Sequence, residues 1–254
     1  MQFFDSDGVR LAYIDAAPSS GAGDPILLIH GFGSNHAVNW VNTMWVKTLT
    51  HAGYRTIALD NRGHGQSEKL YDPVAYDSYK MAEDGRRLLD HLGIEKADVM
   101  GYSMGARIAA FFALAHPQRL RHVVFGGLGS HLIDGAGLPE SIADALEAPS
   151  LADVQDPMGR TFRAFAEQTK SDLKALAACI RGSRQTLTRD QVASIGAPAL
   201  VAVGTKDTIA GSAHELAALL PAGRALDIPG RDHMLAVGDK VFKEGVRRFL
   251  AESP

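Results

Sequence analysis

Short apolar runs that do not alternate with polar residues recur along this chain, and stretches with helical spacing separate them. "PILLIHG" (25–31), "RTIALD" (55–60), "ADVMGYS" (97–103), "HVVFGG" (122–127) and "PALVAVG" (198–204) have this character, with "ALDIPG" (225–230) a weaker case. A strand that is apolar at every position is buried on both faces. Alternation of such strands with helices specifies a parallel sheet covered on both sides, so the expected fold class is α/β. An opening hairpin is read from "FFDSDGVRLAYIDA", two strands around a Ser-Asp-Gly turn.

A helix is expected over 39–52. Met81, Gly85, Leu88, Leu89 and Leu92 share one helical face, which Gly93 ends. The helix over 104–115 stops at His116-Pro117, because a residue before proline resists the α conformation. A last helix is expected over 241–251.

One stretch breaks this rhythm. Between 130 and 190 there are only helical pieces, such as "SIADALEA", "TFRAFAEQ" and "DLKALAACIRG". Ligands of open α/β sheets bind outside the carboxyl ends of the strands. The stretch is therefore expected to be a helical cap, or lid, inserted over that edge. The corresponding division is a core of 1–129 and 191–254 with a cap of 130–190.

Composition removes several functions. The chain has 254 residues, a net charge of −3 and no run of five like charges, so nothing points to nucleic acid or an anionic membrane surface. Its longest apolar stretches, such as 108–115, are too short to span a bilayer. The N-terminus shows no basic segment followed by an apolar one, so no secretory signal is visible. The single cysteine, Cys179, suits a reducing compartment and lies in a helical pattern as a buried structural thiol. These features lead us to expect a cytoplasmic monomer or small homo-oligomer with a small-molecule substrate.

At the seam of "VMGYSMGARIAAFFALA" (99–115), Ser103 stands between Gly101 and Gly105, with a strand before it and a helix after it. A turn that tight excludes side chains two residues before and two after the serine, and it projects the hydroxyl above the sheet. A serine hydroxyl needs a base to take its proton and a third group to orient that base. "VAVGTKD" places Asp207 just past a buried strand, and "PGRDHML" places His233 in the loop after the last weak strand.

Rivals fit less well. "FGGLGS", after the strand that follows the serine's helix, has no carboxylate; Asp232 adjoins His233 and should diverge from its ring; Asp227 lies within a strand. His64 and His116 belong to turns, and His36, His51, His91, His122, His131 and His214 carry no motif. "HELAA" (214–218) fails as a zinc motif because Ala218 stands where the second ligand is required. Acyl transfer also needs N–H donors for the developing oxyanion. Met104, directly after the serine, and Phe32, in the glycine-rich "HGFGS", are the expected donors. His30 and "DNRGHGQS" (60–67) are read as structural, the latter as a hydrogen-bonded turn at the sheet edge.

"HGFG", "DNRGHGQS", "GYSMG", "VGTKD" and "GRDHM", in this order, resemble the α/β-hydrolase superfamily over nearly the whole chain, least between 130 and 190. The resemblance is strongest to small serine esterases with a helical cap. It implies a mostly parallel eight-stranded sheet flanked by helices, no cofactor and no metal. It implies Ser103 as nucleophile, Asp207 as acid, His233 as base, and Phe32 with Met104 as oxyanion-hole donors. A serine at 103 departs from the carboxylate nucleophile of the dehalogenase and epoxide-hydrolase branches, and "HGFG" lacks the triple glycine of many lipases.

The expected activity is hydrolysis of carboxylic esters with short to medium acyl chains, with Phe162 and Phe165 of the cap expected to contact substrate. The same residues also fit a carbon–carbon hydrolase, a lactonase, an amidase, a perhydrolase, or a slow-turnover ligand sensor. A scaffold protein of this fold would usually have lost one of the three side chains.

Overall fold

The apolar runs lie side by side in one sheet of eight strands: β1 (Gln2–Ser6), β2 (Val9–Ala16), β3 (Pro25–Ile29), β4 (Arg55–Leu59), β5 (Ala97–Tyr102), β6 (Leu120–Gly126), β7 (Ala199–Gly204) and β8 (Gly223–Ile228). Their spatial order is β1-β2-β4-β3-β5-β6-β7-β8. The strands from β3 to β8 are parallel, and β2 joins β1 and β4 antiparallel. This computed structural model describes residues 1–135 and 138–252. In the β1–β2 hairpin, Asp7 and Gly8 both take positive φ (58° and 81°), which matches the twist of a two-residue turn.

Neighbouring residues of the central strands go to opposite cores, which is why no polar alternation is visible in the sequence. Leu27, Ile29, Val99, Ile57 and Leu59 join one apolar cluster, whereas Ile26, Leu28, Met100 and Ala58 join the other. Helices cover both faces. α1 (Trp45–His51) packs against the second cluster through Trp45 and Leu49, and α2 (Ser78–His91) and α3 (Met104–Ala115) pack against the first.

Between β6 and β7 the regular elements among the described residues are all helical: α4 (His131–Asp134), α5 (Ser141–Glu147), a 3-10 turn (Leu151–Asp153), α6 (Pro157–Gln168), α7 (Leu173–Gly182) and α8 (Arg189–Ala193). Then follow α9 (Ala213–Leu219), α10 (His233–Ala236) and α11 (Lys240–Ala251). Residues 136–137 of the expected cap and 253–254 of the expected core lie outside the described residues. Among the described residues no helix is long and apolar enough to cross a membrane.

One expectation is corrected. The helix over 39–52 is broken into a π-helical turn (Ala37–Val41) and α1, with Met44 between them at φ 68°. The Asn39 carboxamide oxygen accepts a 2.7 Å bond from the Gly31 amide, and the Thr43 hydroxyl donates to the Asn39 carbonyl. The segment is thus bound to the turn after β3 and does not run on as one helix.

The chain passes from β3 to β4 on one side and later to β5 on the other. Connections therefore diverge between β3 and β5, and a crevice opens there beyond their carboxyl ends. Phe32 follows β3 and Ser103 follows β5, so both stand at this crevice.

Candidate active site

Ser103 occupies the turn between β5 and α3 with φ 54° and ψ −116°, a backbone geometry that costs a side-chain-bearing residue about 1–3 kcal/mol. Its surroundings impose that geometry. The Ser103 amide donates to the Gly126 carbonyl on β6 (2.8 Å), and its carbonyl accepts from Ala106 (2.9 Å) and Arg107 (3.1 Å) in the first turn of α3. Strand and helix meet so closely that a β-carbon on Gly101 would stand 2.0 Å from the Gly105 carbonyl oxygen.

His233 and Asp207 reach the same point from distant parts of the chain. His233 Nε2 lies 2.9 Å from Ser103 Oγ, and His233 Nδ1 lies 2.7 Å from Asp207 Oδ2. The Asp207 side chain is fully buried, and its other oxygen accepts amide bonds from Ile209 (2.8 Å) and Ala210 (3.0 Å). Asp207 is therefore fixed and can only accept from Nδ1–H, which leaves Nε2 with a lone pair facing the serine hydroxyl. His233 opens α10, where Asp232 caps the helix by accepting from the Met234 and Leu235 amides. The Tyr102 hydroxyl donates to the His233 carbonyl at 2.6 Å and holds the loop against the sheet. Asp232 indeed diverges from the ring, and Asp227 faces His214 instead (3.0 Å).

Phe32 and Met104 border one cleft together with Ser103. Among the described residues, neither backbone amide donates to another protein group. Gly33, at φ 68°, lets the chain turn away directly after Phe32. A scaffold beneath fixes this turn. His30 Nδ1 bonds the Gly31 carbonyl (2.7 Å), and His30 Nε2 accepts from the Asn61 amide (3.0 Å). Burial pushes His30 down to about 4 and His64 to about 3, so both rings are neutral.

Burial would raise the pKa of Asp60, but bonds from the His36 ring and the His36 and Gln66 amides hold it below the usual carboxylate range. Arg62 forks onto Asp84 at 2.7 and 2.8 Å. The segment 60–67 thus forms the bonded turn expected from its sequence.

Two lobes meet at Ser103. One encloses about 610 Å³ including its open side, and is lined by Phe32, Met104, Leu128, Leu138, Ile180 and Ile209 among others. Phe162 and Phe165 lie in the other lobe, beside Ser34, His233 and Met234. Phe162 packs on Phe32 with ring centroids 6.0 Å apart. Cys179 is buried on α7, its sulfur 3.7 Å from Met104 Sδ, and burial pushes its thiol up to about 12.

The sequence reading missed Arg107 and His131, which line the first lobe. Arg107 left one usable signal, a single cation in an otherwise apolar helix. His131 left none, because loop packing alone brings it to the cleft. Among the described residues no group of three or more His, Cys, Asp or Glu could hold a metal ion.

Comparison with known proteins shows the fold family. A family model described as alpha/beta hydrolase fold matches residues 24–173. The chain is 35% identical over 141 residues to the 2-hydroxymuconate semialdehyde hydrolase of a Pseudomonas species, covering 54% of this chain and 47% of that protein. It is 35% identical over 117 residues to epoxide hydrolase B of Mycobacterium tuberculosis, covering 46% of this chain and 32% of that protein. The chain thus spans less than half the length of either relative. Among solved structures, a hydrolase from Pseudomonas aeruginosa superposes with a TM-score of 0.78 at 27% identity, covering 99% of this chain and 98% of that one.

Proposed function

The chain belongs to the alpha/beta hydrolase fold family, and on that premise we propose that it hydrolyses carboxylic esters of short to medium acyl chain through an acyl-enzyme on Ser103. The observation that carries this is the relay of 2.9 Å from Ser103 Oγ to His233 Nε2 and 2.7 Å from His233 Nδ1 to Asp207 Oδ2. His233 takes the hydroxyl proton as Oγ attacks the carbonyl carbon, and Asp207 stabilises the imidazolium that results. The amides of Phe32 and Met104 receive the oxyanion, and each such donor is worth roughly 3 kcal/mol of barrier. His233 then passes its proton to the leaving alcohol. Water, deprotonated by the same ring, releases the acid and restores Ser103.

A second reading is hydrolysis of a carbon–carbon bond beside a carbonyl, favoured by similarity to a 2-hydroxymuconate semialdehyde hydrolase. It uses the same relay, with His233 protonating carbon in place of oxygen. The insertion 130–190 acts as a cap in both readings.

Rapid quenching of turnover with aryl esters, followed by mass spectrometry, tests the proposal. An acyl group on Ser103, with turnover lost in Ser103→Ala, is the expected result. Undiminished turnover in Ser103→Ala refutes it.

A further inference from the structure

Arg107 is a buried cation that no carboxylate faces among the described residues. It lies four residues after Ser103 on α3, hence on the same side of the helix, and it borders the same cleft. The residue is 4% exposed. Its Nη1 donates to the carbonyls of Leu132 (3.3 Å) and Gln185 (2.9 Å), and its Nη2 to those of His131 (2.9 Å) and Gly135 (3.0 Å). Among the described residues its Nε–H has no protein acceptor.

The other buried arginines each meet an acid, Arg62 with Asp84 and Arg163 with Glu167. Arg107 instead has a second cation near it, Arg184, whose guanidinium holds the Leu138 carbonyl at 2.8 Å. Neither pairs with an acidic side chain among the described residues. Burial, followed by Arg184, lowers the pKa of Arg107 to about 10, so it is charged at neutral pH. Four carbonyls satisfy the Nη donors without cancelling the charge, and an uncompensated buried charge is costly.

We propose that a carboxylate of the substrate supplies the missing anion, so that Ser103 acts on carbonyl compounds bearing a second, negatively charged acid group some distance from the scissile bond. This rests on the hydrolase reading given above. A monoanion fits better than a phosphate. Beyond Ser103 and Arg107, the polar side chains of this wall are His131, whose Nδ1 is bonded to the Ile209 carbonyl (2.7 Å), and Ser183, whose hydroxyl donates to the Cys179 carbonyl (2.6 Å), so a dianion with three oxygens would find too few donors. The group would lie near the Nε–H, held by the positive field of Arg107 and Arg184.

The test uses two pairs of esters matched in shape. One pair differs on the acyl side: mono-p-nitrophenyl glutarate against p-nitrophenyl valerate. The other differs on the alcohol side: the butyryl ester of 4-hydroxybenzoate against that of p-cresol. In at least one pair the charged member should be preferred in kcat/KM by about tenfold or more, the worth of a charge-assisted bond. Arg107→Gln should bring that ratio towards one, and Arg107→Lys should retain most of it.

Neutral esters preferred in both pairs would overturn the proposal. So would charged and neutral members falling together in both variants, the signature of a structural clamp. Turnover that survives Ser103→Ala would instead strike the hydrolase reading. Ser103-dependent turnover without a charge preference would strike this inference alone.

Discussion

The carbonyl oxygen of Ile29 stands 2.0 Å from where a β-carbon on Gly105 would lie. Helix α3 therefore rests directly on the end of β3, which brings Ser103 to the turn that carries Phe32. A methyl group at 105 must force backbone from backbone, with no flexible side chain to yield. Gly105→Ala should cost at least about 3 kcal/mol, at the upper end for overpacking. Urea unfolding of the purified variant checks this, and a loss below 1 kcal/mol would contradict the close approach.

Asp207 can be changed without emptying its site. In Asp207→Asn the carboxamide can still accept the Ile209 and Ala210 amides through its oxygen, while its NH₂ faces His233 Nδ1. The ring then carries its proton on Nε2 and cannot receive one from Ser103. Turnover of a p-nitrophenyl ester should fall by about 10⁴-fold with the thermal midpoint little changed. Steady-state kinetics beside a melting curve separate the two effects.

Acid should destabilise the fold through His30 and His64, which are pushed to about 4 and about 3 from the ordinary 6.5. Unfolded, both rings take a proton as pH falls through 6.5; folded, they do not. Proton uptake accompanies unfolding, so stability present above pH 6.5 is lost as pH falls towards the folded values. Between pH 6.5 and 5 the loss is about 2 kcal/mol for each ring. Urea midpoints across this range should drop, and His30→Asn should give a shallower slope despite lower stability at pH 7.

Phe165 is half-buried in the second lobe, and its ring edge lies 3.4 Å from the space beside Gly33. Phe165→Ala should lengthen the chain the site accepts. Each methylene newly buried is worth about 0.8 kcal/mol, roughly fourfold in kcat/KM. A series of p-nitrophenyl esters from acetate to octanoate should show its optimum moving by one to two carbons. An unchanged optimum would mean that this lobe does not hold the chain.

Much of the frame was legible because it depends on local rules. The helix Met104–Ala115 has the bounds expected, since Gly101 and Gly105 mark its start and His116-Pro117 its end. The strands were legible because burial on both faces leaves no polar alternation, and the order Ser103, Asp207, His233 marked the three residues that now lie in one line of hydrogen bonds.

Non-local relations were not legible. The break at Met44 follows from Asn39 being bound to Gly31, a partnership that helical periodicity does not encode. The position of Arg107 depends on carbonyls of residues 131, 132, 135 and 185, far along the chain. Its single charge was the one hint, and an apolar helix absorbs such a residue without disturbing its pattern.

The helices over the cleft are fastened to α2, α3 and the turn after β3 at several points at once. Arg107 grips residues before α5 and after α7, Thr169 Oγ1 bonds the Gly33 carbonyl (3.0 Å), and Gln185 accepts from the amide and hydroxyl of Ser78 (2.9 and 2.8 Å). Lifting these helices as one body would break all of these bonds together and strip the Arg107 guanidinium of its four carbonyls. Met234, 46% exposed at the rim of the second lobe, lies outside this set of bonds. Exposed side chains such as this one rotate in picoseconds to nanoseconds without disturbing those bonds. A ligand that entered past Met234 would leave the clamped helices in place.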